Sequence, residues 1–111
     1  MARLRLDPGR LAVRLDLEAP QDVDDGQGGS LRSFEPRGRL WALVEPTGLR
    51  IDEAAGAARV THTFRVTVRR RSDIESGMRL RWDTRVLRIR AVSDPYPRGD
   101  YLLCACEEDG Q

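Results

Sequence analysis

Lysine is absent from this 111-residue chain: all of its 19 cationic residues are arginine, set against 18 acids. That absence fits a GC-rich coding bias and excludes little by itself. Histidine occurs once, as His62. A metal site of clustered histidines is thereby excluded, and a histidine-based triad has no visible partners. His62 shares strand parity with Phe64 and Val66, so it reads as a partly buried structural residue. The two cysteines, Cys104 and Cys106, are too few for a disulfide scaffold. On a strand their Cα atoms would stand roughly 7 Å apart, beyond relaxed disulfide geometry, and C-x-C alone is a poor zinc signal. They read as buried apolar thiols. No apolar run approaches the roughly 18 residues of a membrane helix. Met1 to Arg10 lacks the apolar stretch of a signal peptide, so the expectation is a reducing cytosolic site of synthesis and no membrane.

Motifs of catalysis are missing too. There is no phosphate-cradling G-x-x-x-x-G-K-[ST], no G-x-G-x-x-G after a strand and no G-x-S-x-G. Asp22, Asp24 and Asp25 resemble half of a calcium loop, but the sixth-position glycine and the distal glutamate do not line up. The expectation is therefore no catalytic residue, no cofactor and no metal.

What is present is charge segregated by sign. Asp22 to Ser30 holds three acids and no base. From Arg59 to Arg90, ten arginines stand against Asp73, Glu75 and Asp83, a local excess of seven positive charges. From Ala91 onward, Arg98 stands against five acids, an excess of four negative charges. The net charge of +1 hides this. Segregation can arise from solvated strand faces alone, or from a subunit whose two sides meet opposite charge in a head-to-tail ring.

The dominant period is two. Leu11 to Leu17 puts its odd positions on an apolar face. Thr61 to Arg69, Met78 to Trp82 and Leu87 to Ala91 repeat the device, with arginines on the opposite face. Leu40 to Val44 and Tyr101 to Cys106 are apolar throughout, which suits strands buried on both sides. Trp82-Asp83-Thr84-Arg85 has the look of a tight hairpin, and Asp94 to Asp100 of a proline-rigidified turn. Gly26, Gly28 and Gly29 make Asp22 to Ser30 a flexible loop. In Ile51 to Arg59, Gly56 and four alanines leave room for one helical turn at most. The expectation is one all-β domain over residues 1–111, a small antiparallel barrel or sandwich of about six strands with long loops at residues 19–39 and 46–60.

Arg65, Arg69, Arg79, Arg81, Arg88 and Arg90 lie on the polar faces of three successive strands. If those strands are sheet neighbours, they form one basic surface. A nucleic-acid groove would add exposed aromatics to such a surface, and Phe64 and Trp82 point to the apolar face instead. A protein interface, Arg face against acidic loop or tail, is the better reading.

The order of the pieces carries a further likeness. After Leu11 to Leu17 come the acidic, glycine-rich Asp24-Asp25-Gly26-Gln27-Gly28-Gly29, then Leu40-Trp41-Ala42-Leu43-Val44-Glu45-Pro46 and Thr61 to Arg69. There follow Ile74-Glu75-Ser76-Gly77-Met78-Arg79-Leu80, Leu87 to Asp94, and Tyr101-Leu102-Leu103-Cys104-Ala105-Cys106-Glu107-Glu108. This collinear set resembles the tailed-phage head-tail joining family, the head-closure or stopper proteins of phages and of phage-derived gene-transfer particles. The resemblance implies a structural virion subunit, assembled in the bacterial cytoplasm. It would form a homo-oligomeric ring between the portal or adaptor above and the tail terminator or tail tube below. Packaged double-stranded DNA would pass through without sequence-specific binding. A tail terminator or another connector ring is the nearest alternative, and a cationic nucleic-acid-binding barrel the alternative of another class. Subunit contacts are expected at Asp24, Asp25, Arg65, Arg69, Arg79, Arg81, Arg88, Arg90, Glu107 and Glu108. The resemblance also implies a channel or gate loop, here Gly48, Leu49, Arg50, Ile51, Asp52, Glu53, Gly56 and Arg59.

Overall fold

The computed structural model describes residues 8–54, 56–96 and 99–110. The expectations for Met1 to Asp7, and those for Ala55, Pro97 and Arg98, lie outside the described residues. After a 3-10 turn at Pro8–Arg10 come six strands: β1 (Val13–Asp24), β2 (Ser30–Ala54), β3 (Ala57–Arg69), β4 (Arg79–Trp82), β5 (Arg85–Ser93) and β6 (Tyr101–Gly110). Among the described residues no helix is long and apolar enough to cross a membrane.

The strands make one antiparallel sheet that closes on itself in the order β1-β2-β3-β6-β5-β4. The seam is short: β4 meets β1 through Asp16↔Arg81, Leu17↔Leu80 and Glu18↔Arg79 alone. Alternation dictates the inside. Leu15 and Leu17 of β1, Val66 and Val68 of β3, Leu80, Leu87, Ile89, Cys104 and Cys106 are all fully buried. Burying such aliphatic side chains contributes roughly 1.5–3 kcal/mol each. The Ile74 to Met78 segment plugs the core: Ile74 and Met78 are buried, and Met78 accepts from the Ile89 N–H at 2.9 Å. Gly77, at φ 94°, makes the turn between them. The hairpin at Trp82–Arg85 forms as expected, with Asp83 in the left-handed region at φ 55°.

Two expectations are corrected. Residues 19–39 and 46–60 are not long loops; both are strand hairpins that project from the closed sheet. In the first, β1 and β2 stay paired out to Asp24↔Ser30. The hairpin closes on Asp24, whose carboxylate accepts from Gly26 N–H at 2.9 Å, and on Asp25, which accepts from Gln27 N–H at 2.7 Å. In the second, β2 and β3 pair to Ala54↔Ala57, and no helical turn forms among the described residues. The first arm is illegible in the sequence because both of its faces meet water, so no alternation marks it; in the second, a register shift between Pro46 and Gly48 breaks the parity. With the arms, the molecule measures 52 × 35 × 26 Å and has a radius of gyration of 15.9 Å. A compact chain of this length would have about 13 Å.

Leu40 to Val44 is likewise not buried on both sides. Leu40 and Ala42 face the core, whereas Trp41 points out and is 52% exposed. Cys104 and Cys106 share the inner face, both buried and unbridged, and His62 is half-buried on the Phe64 side.

Candidate functional site

The closed order separates what chain order places together. Strand β6, with the acidic end of the chain, lies between β3 and β5. One continuous basic surface therefore does not form. Instead the arginines of neighbouring strands find carboxylates within the same chain. Arg65 reaches Glu45 at 3.2 Å. Arg79 and Arg81 clamp Glu18 at 2.6 and 3.2 Å. Arg85 holds both oxygens of Glu108 at 2.8 Å, and Arg88 holds Asp109 at 2.7 and 3.1 Å. Glu107 takes Arg90 at 3.3 Å and Arg50 at 3.2 Å. The cationic groove that made nucleic acid a candidate is neutralised from within.

Electrostatics mirror the geometry. Burial alone would raise the Glu18 carboxyl, but the Arg79 and Arg81 hydrogen bonds and charges outweigh it and hold Glu18 below the usual range. The hydrogen bond from Arg85 does the same to Glu108, and that from Arg88 to Asp109. Burial pushes the Cys104 and Cys106 thiols up to about 11 and about 12, the opposite of what a reactive thiolate needs. Among the described residues no three His, Cys, Asp or Glu side chains are grouped to hold a metal ion.

The arms carry the rest of the expected site residues. Asp24 and Asp25 sit at the tip of the first arm, bonded to backbone and, among the described residues, to no arginine. At the arm's base, Arg79 lies 3.8 Å over the Phe34 ring, tying β2 to β4. Gly48 to Glu53 form the β2 side of the second arm, and Gly56 and Arg59 its turn and return. An extra residue at Thr47 shifts the register from Pro46↔Phe64 to Gly48↔Thr63. This bulge keeps Leu49 and Ile51 on the side that the core residues Leu40 and Ala42 occupy, but beyond the core nothing covers them: they are 58% and 60% exposed. Sequence reasoning missed Trp41 as a surface residue, since an apolar run hides which of its members points out.

Comparison with known proteins follows the same outline. A family model described as phage head completion protein matches residues 6–109. Among solved structures, a chain from the virion of a native gene transfer agent particle is similar at TM-score 0.75 and 26% identity, over 97% of this chain and 98% of that one. A protein from Shigella flexneri 2a, solved in solution, is similar at TM-score 0.67 and 25% identity, over 93% and 96% of the two chains. A comparison with curated proteins returns no match.

Proposed function

Because the chain belongs to the phage head completion protein family, we propose that it forms the head-closure ring between a DNA-filled capsid and its tail. It is a structural head-closure protein of a phage-like virion, associated with other virion proteins. In this ring it lies below the portal or adaptor and above the tail terminator or tube, and helps to retain the packaged double-stranded DNA. Its role is joining rather than catalysis, and assembly takes place in the host cytoplasm.

What carries this reading is the end-to-end likeness to a chain of a gene transfer agent virion, 97% of this chain against 98% of that one. The shape supports it. A small closed sheet with two projecting strand hairpins offers a body to stack around an axis and levers to reach neighbours. Within the ring the second arm, Gly48 to Arg59, is the channel-facing element. Its Arg50, Asp52, Glu53 and Arg59 balance in sign, so passing DNA is neither gripped nor strongly repelled.

Particles made without this chain test the reading by electron-microscope classification. DNA-filled or leaked heads separate from complete tails are expected. Intact tailed particles would overturn it.

A further inference from the structure

With most charges paired inside the subunit, the unpaired ones stand out. On the outer face, Arg14 of β1 lies opposite Trp41 of β2. The pairing Ala42↔Val68 sets Trp41 beside Arg69 of β3, and Arg69 lies opposite Tyr101 of β6. The result is one row across four strands in which cation and ring alternate, its Trp41 ring exposed and its Tyr101 ring buried. Arg14 sits 5.2 Å from the Trp41 ring centroid and Arg69 5.8 Å from that of Tyr101. Among the described residues neither guanidinium has a carboxylate partner, in contrast to Arg65, Arg79, Arg81, Arg85, Arg88 and Arg90. The indole between them is 52% exposed. Tryptophan and arginine at the centre of a patch are the residue types that carry binding energy in protein interfaces.

The complementary chemistry exists on the same chain. The tip of the first arm bears the Asp24 and Asp25 carboxylates next to the cross-strand pair Val23↔Leu31. Those two apolar side chains are 43% and 62% exposed. An apolar pair with two carboxylates beside it at the tip complements an exposed indole between two guanidiniums, in sign of charge and in apolar character. Arg14 and Asp24 lie near opposite ends of β1, roughly 33 Å apart at strand rise. One copy cannot fold its own tip onto its own row, so the match is head-to-tail between copies, the kind of contact that closes a ring.

We propose that the tip of the β1–β2 arm of one subunit seats on the Arg14–Trp41–Arg69 row of a second copy of this chain. The proposal rests on the head-closure reading and specifies the contact that builds its ring. To test it, Trp41 is replaced by the photo-crosslinker p-benzoylphenylalanine, assembled particles are irradiated, and the crosslinked peptides are sequenced. The expected product joins position 41 to the Val23 to Leu31 segment of another copy. Crosslinks only to a different virion protein, or none between copies, overturn the proposal. Charge exchange is the second arm of the test. Arg69→Asp and, at the exposed tip position opposite Asp24, Ser30→Arg should each reduce the yield of tailed particles, and the two together should restore it. Two folded single variants whose combination fails to recover would also overturn it. Neither result touches the head-closure reading, which stands or falls on whether particles lacking the chain still join heads to tails.

Discussion

The seam that closes the sheet depends on one carboxylate, and Glu18→Gln tests how much. Glu18 accepts from Arg79 and Arg81, and its side chain is only 14% exposed, while those of the two arginines are 25% and 38% exposed. Charge-assisted hydrogen bonds contribute about 1.5–3 kcal/mol where water is largely excluded. With the arginines partly solvated, removing the charge should cost about 2 kcal/mol. For a domain near this size 1 kcal/mol moves the midpoint by about 4–8 °C, so Tm should fall by roughly 8–16 °C. Thermal unfolding followed by circular dichroism measures it. The exposed pair Arg37–Glu35, with side chains 50% and 41% exposed, is the control: Glu35→Gln should cost no more than about 0.5 kcal/mol. The sign with pH is fixed as well. Because the folded Glu18 carboxyl lies below its ordinary 4.5, its contribution is complete above that value and is lost as pH falls through the lowered one. Wild type and Glu18→Gln should therefore differ most at neutral pH and converge in acid. Equal Tm values for the two proteins at pH 7 would refute the seam argument.

Two further outcomes are expected. Cys104 and Cys106, buried and with thiols raised to about 11 and about 12, should resist a thiol reagent at pH 8 in the native protein and react once it is unfolded; native labelling would mean that the sheet opens readily. Replacing both Leu49 and Ile51 by Ser should change stability by no more than about 0.5 kcal/mol per site, because both lie on the open arm, yet should lower DNA retention in heads if that arm faces the channel. Full retention would remove its channel role.

The core strands were legible because each buries one face: Leu11 to Leu17, Thr61 to Arg69 and Leu87 to Ala91 announce themselves by period two. The arms were not. Between Glu18 and Leu40 polar residues occupy both faces, and glycine and aspartate at the tip look like loop chemistry when they serve a hairpin turn. Beyond Pro46 the bulge at Thr47 breaks the parity that would have joined Leu49 and Ile51 to Leu40 and Ala42. The arginines on the polar faces were legible one by one. Their partners were not, because β6 enters the sheet between β3 and β5, and chain order cannot show that Glu107 and Glu108 lie among arginines more than a dozen residues away. The row through Trp41 depends likewise on three inter-strand registers at once.

Both arms are built on β2, whose 25 residues run without interruption from Ser30 to Ala54. They are the two ends of one lever rather than two separate binding loops. The β1–β2 ladder that holds the first arm reaches Ala42, where the β2–β3 ladder that holds the second begins, so β2 alone joins the two tips and its register shifts once on each side, opposite Asp16/Glu18 and at Pro46/Gly48. A single substitution that breaks β2 would therefore unseat both arms at once.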